Sequence, residues 1–151
     1  MQIIENQTLI FHDLLSYRTR VSLGELPEMI KYITDNLDAL NITAVNRIIF
    51  TLTGDSDKDG RRDAEILIPI GKELESCSEF SFKPEFRLIN AISVRHEGSP
   101  ALAEATARRL AEHIDFKGYT AITRPYYRVI RMDPDHDCIF DIYVGIEYNI
   151  L

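Results

Sequence analysis

The stretch Asn90 to Pro100 (NAISVRHEGSP) constrains this chain more than any other. Ile92 and Val94 alternate with polar neighbours, as a half-buried strand requires. Arg95-His96-Glu97 close the strand, and Gly98 turns the chain. Ser99 is a natural N-cap, and Pro100 follows at a position where a missing N–H costs nothing. The helical pattern then runs to Ile114 with Leu102, Ala105, Leu110 and Ile114 on its apolar side, and Gly118 stops it. Arg124 to Met132 and Cys138 to Tyr148 follow as strands around the turn DPDHD. On the last strand Phe140, Ile142, Val144 and Ile146 face one way, and Asp141, Tyr143, Gly145 and Glu147 the other.

The first half has the same order. Thr8 to Val21 alternates through Leu9, Phe11, Leu15, Tyr17, Thr19 and Val21. Ser22-Leu23-Gly24 breaks the pattern. Glu25 to Leu40 places Leu26, Met29, Ile30, Ile33, Leu37 and Leu40 at three- and four-residue steps, with Pro27 in the first turn and Asn41 closing. Arg47–Thr53 and Ala64–Ile70 form a hairpin across the polar loop GDSDKDGRRD, and Pro69 points to an edge position or to a place where the ladder needs no N–H. The expected fold is α+β: a single domain, 1–151, of tandem β-α-β-β repeats at about 8–71 and 85–148, with connector 72–84. The second copy lags the first by roughly 75 residues, right for a duplicated half-domain. EILIPI in the first half corresponds to DIYVGI in the second. One helix per three strands leaves each sheet with one covered face, so both helices are expected on one side and a central groove on the other.

A chain of 151 residues with 45% hydrophobic content can bury one sizeable core, which excludes disorder. Its net charge of -7 and lack of a basic patch argue against direct binding to nucleic acid or anionic lipid. Cys77 and Cys138 are the only cysteines; no CxxC spacing supports zinc, and free thiols are expected over a disulfide. The N-terminus has no basic region ahead of an apolar run, and no stretch is long enough to span a membrane. A cytoplasmic location is expected, and no cofactor motif is visible.

Three short motifs carry a family resemblance. NAISVRHEGSP fits a YAVxxHxGPY pattern that precedes a helix, RPYYRVIRMD fits GPxFExYxND, and FDIYVGI fits a strand ending xEIYIPV. Together they resemble the GyrI-like small-molecule-binding domain, the effector-binding module of AraC-type and MerR-type regulators, built from two SHS2 repeats. The likeness covers about Thr8 to Tyr148. It implies a bacterial, stand-alone sensor or sequestering protein with a small organic ligand between the repeats. Without a helix-turn-helix ahead of it, the chain is not expected to act as a transcription factor by itself. The family's second motif carries a pocket glutamate for cationic ligands, and Arg128 stands at that position here. That exchange favours an anionic or neutral ligand, unless Glu147, Asp141 or Glu65 supplies the acid from a neighbouring strand. Some family members are hydrolases, an activity that does not carry over without the glutamate.

The candidate ligand residues are Tyr126, Arg128, Asp141, Tyr143, Glu147, Tyr17 and Glu65. Two readings of their strand faces stay open: a pocket wall, or a solvated sheet face with cross-strand ion pairs. His96-Glu97 has the composition of an acid-base pair, but a turn histidine bonded to backbone is the plainer reading. His12, His113 and His136 are isolated, and no catalytic residue is assigned. Asp55, Asp57, Asp59 and Asp63 have the alternate spacing of a calcium loop, but Ile66 stands where an EF-hand needs glutamate and Arg61-Arg62 neutralise the acids. The alternative to a ligand-binding domain is a protein-interaction module for another polypeptide, a basic one or a second copy of this chain, held in the groove or on a sheet edge. An enzyme reading is the weakest.

Overall fold

Apolar periodicity sets most of the elements in this computed structural model, which describes residues 2–133 and 137–147. They are β1 (Ile3–Val21), α1 (Leu26–Ala39), β2 (Ile49–Thr53), β3 (Arg62–Pro69), β4 (Ser81–Gly98), a 3-10 turn (Pro100–Leu102), α2 (Ala103–Phe116), β5 (Thr120–Ala121), β6 (Tyr126–Arg131) and β7 (Cys138–Glu147). Ser22 and Glu25 start α1 with reciprocal bonds. The Ser22 N–H donates to Glu25 Oε1 (3.2 Å), and the Glu25 N–H donates to Ser22 Oγ (3.3 Å). The helix buries Leu26, Ile30, Ile33 and Leu37 on one stripe. Asn41 ends it in the left-handed region at φ 59, and the Ile42 N–H reaches back to the Leu37 carbonyl at 2.9 Å. Gly118, at φ 75, ends α2 the same way.

The strands form a seven-stranded antiparallel sheet in the order β4-β1-β3-β2-β6-β7-β5, and β4 also pairs with β7. Six strands therefore close into a ring. The long β1–β4 ribbon spans it, pairing from Ile3↔Val94 to Ser16↔Ser81. Both helices pack on one face. Leu26, Ile30, Ile33 and Leu37 of α1 and Ala103, Ala107, Leu110 and Ile114 of α2 share one cluster with Phe50, Ile66, Phe140 and Ile142. Phe50, Ile66, Phe140 and Ile142 have no exposed surface.

Left-handed kinks, at Asn6 (φ 58) and Asp13 in β1 and at Asn90 in β4, let the two strands serve both faces. Asp13 (φ 59) and Asn90 (φ 61) sit in the left-handed region that short polar side chains tolerate. Before Asp13, Leu9 and Phe11 point away from the helices; after it, Leu14 does so and Leu15 faces the helix-side core. The pairing orders β1-β3-β2 and β4-β7-β6 match, with β1 meeting β4 and β2 meeting β6. The helices are 14 residues each, beginning at 26 and at 103, a step of 77. That step of 77 also separates Asp13 from Asn90 and Asn41 from Gly118.

Four expectations change. β1 begins at Ile3, not Thr8, and β4 takes Ser81 to Pro84 from the expected connector. Pro69 is not on an edge: β3 lies between β1 and β2, and Pro69 ends the strand with its carbonyl accepting the Val45 N–H at 2.8 Å. The groove opposite the helices is not open. Leu9, Phe11, Phe86 and Leu88 of the ribbon pack there on Ile49, Leu67 and Tyr143 of the sheet. The turn residues 134–136 and Tyr148 lie outside the described residues.

Removing the aromatic hub of the helix-side core tests this packing. Phe50 stacks on Tyr127 at 4.8 Å and meets Phe140 edge-on at 5.3 Å. Phe50→Ala is expected to lower unfolding free energy by about 3–5 kcal/mol in urea titration. Phe116→Ser, at a site 87% exposed, should stay within about 0.5 kcal/mol of the parent.

Candidate functional site

Period-two alternation on β6 and β7 carries Tyr126, Arg128, Asp141 and Tyr143 to the helix-free face. Strand register sets Tyr126 opposite Tyr143 and Arg128 opposite Asp141. Glu65 reaches this face from β3, in register with Thr51, which is in turn in register with Tyr126. The β1–β4 ribbon lies across them. Phe86 of the ribbon meets Tyr126 edge-on at 4.9 Å, and Phe11, 6.4 Å from Phe86, lies beneath the Arg128 guanidinium at 5.5 Å. Lys83 Nζ stands 6.0 Å over Phe86. The site is thus an aromatic seam between ribbon and sheet.

Its acids are already engaged. Asp141 accepts from Arg95 Nε at 2.8 Å and from Arg95 Nη2 at 3.1 Å, a bidentate pair that raises the Arg95 pKa. Glu65 accepts the Ser16 hydroxyl at 2.7 Å and lies 3.7 Å from Arg18. Arg18 is in register with Glu65 as Arg95 is with Asp141, so the two pairs hold matching places in the matching strand triplets. Arg128 differs from both arginines. Its Nη2 donates to Asn46 Oδ1 at 3.1 Å, while its Nε is buried with no hydrogen-bond partner. A buried donor left unpaired costs about 1–3 kcal/mol. Burial raises the Tyr126 pKa, and the nearby Glu65 charge adds to the shift, so its hydroxyl stays a proton donor at neutral pH.

Two of the sequence-derived residues sit elsewhere. Tyr17 faces the helix-side core against Phe80 (5.6 Å), and burial pushes its pKa up to about 12. Glu147, exposed at the end of β7, borders a separate cavity of about 510 Å³ with Glu5, Asn90 and Lys117. A cavity of about 290 Å³ beside Ser93, Arg95, Asp141 and Tyr143 and one of about 630 Å³ beside Arg18, Glu65 and Arg124 flank the seam. Sequence reasoning missed Phe11, Phe86, Lys83 and Asn46 as site residues. Phe11 and Phe86 read as ordinary strand positions, and only the paired kinks reveal that they face the β6 side chains.

The other candidates resolve structurally. His96 is buried, with Nδ1 2.7 Å from Thr106 Oγ1 and Nε2 2.9 Å from the Ser99 carbonyl, so it ties β4 to α2. Glu97 is exposed and takes no part. His136 lies outside the described residues. In the aspartate loop, Asp57 Oδ1 accepts the N–H groups of Asp59 and Arg61 at 2.9 and 3.0 Å, and Arg20 bridges Asp57 and Asp63. Among the described residues no three His, Cys, Asp or Glu side chains are grouped to hold a metal ion. No helix of the described residues is long and apolar enough to cross a membrane.

No protein-family model matches the sequence, and no curated protein sequence matches it. Solved structures do share the fold. The chain superposes on EcmrR in its DNA complex with a TM-score of 0.78 at 16% identity, covering 97% of this chain and 57% of that one. It therefore spans little more than half of that protein. With the EcmrR C-terminal domain the TM-score is 0.66 at 15% identity, covering 97% of this chain and 99% of the domain. SAV2435 bound to tetraphenylphosphonium gives 0.51 at 8% identity, covering 97% and 93%. At these identities the likeness establishes a shared fold.

Two measurements check the chemistry described. Arg61 hydrogen-bonds Glu25 and, with Ser22, holds its pKa near about 2. Because the folded value lies below the unfolded one, this contribution to stability is present above about pH 4.5 and is lost as pH falls toward 2. In Arg61→Ala the Glu25 carboxyl should titrate back toward 4.5 by carbon-detected NMR; an unchanged titration would remove Arg61 as the cause. Cys77 is exposed, whereas burial pushes the Cys138 thiol up to about 11. Ellman's reagent should find one fast thiol in the native protein and a second only in guanidinium.

Proposed function

We propose that this protein is a small-molecule-binding domain of the GyrI-like effector-binding type, with its ligand held between the β1–β4 ribbon and the sheet. The observation that carries the reading is the seam itself. Phe11, Phe86, Tyr126 and Tyr143 come from four strands to one helix-free face, with Arg128 among them and ion pairs at its rim. With its rings parted, the seam would offer the lining, apolar and aromatic with a few placed polar groups, by which proteins hold small organic ligands. The fold supports the reading, since it is shared with the EcmrR C-terminal domain and with SAV2435, a protein solved with tetraphenylphosphonium bound. The repeated step of 77 residues between helices and between kinks supports an origin in two β-α-β-β repeats. On that reading the ligand site lies where the copies meet, and the protein works as a cytoplasmic sensor or sequestering protein.

Entry requires the rings to part. Tyr126 is half-buried, whereas Phe11, Phe86 and Tyr143 are buried, so Tyr126 is the ring that swings first. A ligand would then replace the Tyr126–Phe86 contact with its own. A second reading, docking of another polypeptide, draws on Ile4, Ile10 and Ile89, which the ribbon leaves exposed.

A thermal-shift screen of a mixed library of small organic molecules tests the first reading. Binding to the folded state raises the melting temperature by mass action. Hits should lose their shift in Tyr126→Ala and in Arg128→Ala, each confirmed folded by circular dichroism. Hits that stabilise both variants as well as the parent would place the ligand elsewhere.

A further inference from the structure

We infer that the ligand of the helix-free face is an organic anion, a flat aromatic body bearing a carboxylate that docks on the Nε/Nη2 edge of Arg128. The inference rests on the ligand-binding reading above and narrows it to a chemical class.

An arginine offers Nε–H and Nη2–H as a planar fork that matches the two oxygens of a carboxylate. On Arg128 one prong is filled by a neutral stand-in and the other is empty. Asn46 Oδ1 takes Nη2 at 3.1 Å, while the buried Nε has no acceptor. Asn46 Oδ1 also accepts the Arg47 N–H at 2.8 Å, so this single oxygen serves two donors and cannot serve the fork. A carboxylate entering there would satisfy Nε and Nη2 together and leave Asn46 to Arg47.

The charges around the site agree. Each acid on the face has its own partner. Asp141, the register neighbour of Arg128, is held by Nε and Nη2 of Arg95, and Glu65 is held by Ser16 and faces Arg18. Among the described residues no carboxylate forms an ion pair with Arg128 or with Lys83, the second cation over the same ring pair. The aromatic body follows from the surroundings. Phe11 underlies the guanidinium, and Tyr126 and Phe86 continue the apolar wall from it. The overall charge of -7 does not oppose this. Exposed charges beyond about 8 Å are largely screened at physiological ionic strength.

The test compares two probes with one ring system and opposite charge, 2-naphthoate and 2-naphthylmethylammonium, by calorimetry on the full chain. The expected result is that naphthoate binds at least about tenfold more tightly than the ammonium. Arg128→Gln should weaken naphthoate about tenfold or more, and Arg128→Lys, which keeps the charge but not the fork, should also weaken it. A readout free of any folding defect uses the unmutated protein: the Arg128 Nε–H resonance in ¹⁵N spectra should shift saturably with naphthoate. If the ammonium binds as tightly as naphthoate, or naphthoate saturates while the Nε–H signal stays put, the anion inference is overturned and the ligand-binding reading stands. If neither probe binds at millimolar concentration and the library screen is also empty, the ligand-binding reading falls and takes this inference with it.

Discussion

The helix-free side depends on left-handed residues inside the two long strands of the ribbon. A strand with strict alternation shows one set of side chains to one face throughout. β1 and β4 cannot do that and also close the ring, because each must face the helices along part of its length and turn away from them along the rest. Asp13 and Asn90 resolve the conflict by switching the face in mid-strand. Aspartate and asparagine suit the task, since their short polar side chains lower the cost of the left-handed region. The switch places Phe11 in the seam and Leu15 in the helix-side core, although an unbroken period of two would put both on one face. It also turns the rest of the ribbon toward the sheet, which brings Phe11 to Arg128 and Phe86 to Tyr126.

Those residues mark the limit of what periodicity discloses. The helices, β2, β3, β6 and β7 are legible from their apolar rhythm, although Leu102, expected on the apolar side of α2, is 61% exposed and Ala103, Thr106 and Ala107 are buried in its place. The facing of Tyr126, Arg128, Asp141 and Tyr143 was legible for the same reason, since a period of two holds along a short strand. Tyr17 shares that rhythm with Leu15 and Val21 and follows them to the helix-side core. The connector was drawn too long because Pro84 and the serines around it lack strand character. Register with the ribbon, not propensity, makes Ser81 to Pro84 part of β4. Ring closure was not legible at all. It rests on β4 pairing with both β1 and β7, a contact between distant segments that no local pattern encodes.

The matched halves sharpen the reading of the site by where they fail to match. Arg18 with Glu65 and Arg95 with Asp141 hold corresponding places and neutralise each other. If the halves were alike throughout, the seam would be charge-balanced and twofold. The β2–β6 pair breaks the likeness. Phe50 lies opposite Tyr127, so the residues that correspond about that pair are Thr51 on β2 and Arg128 on β6. Thr51 is buried, carries no charge, and already donates its one hydroxyl hydrogen to the Pro125 carbonyl at 2.9 Å. Arg128 has a charge with no carboxylate paired to it among the described residues and an N–H with no acceptor.

This asymmetry sets a physical direction for any occupant. Packing forces from Phe11, Phe86 and Tyr126 are indifferent to orientation, because dispersion and apolar burial carry no sign. The guanidinium supplies the sign. A ligand that fills the seam gains most when its charged end lies toward β6 and its ring toward the ribbon, and the reversed pose leaves Nε unpaired. One face of the sheet thereby acquires a polarity, and Arg128, which stands where β2 has Thr51, is a residue that confers it.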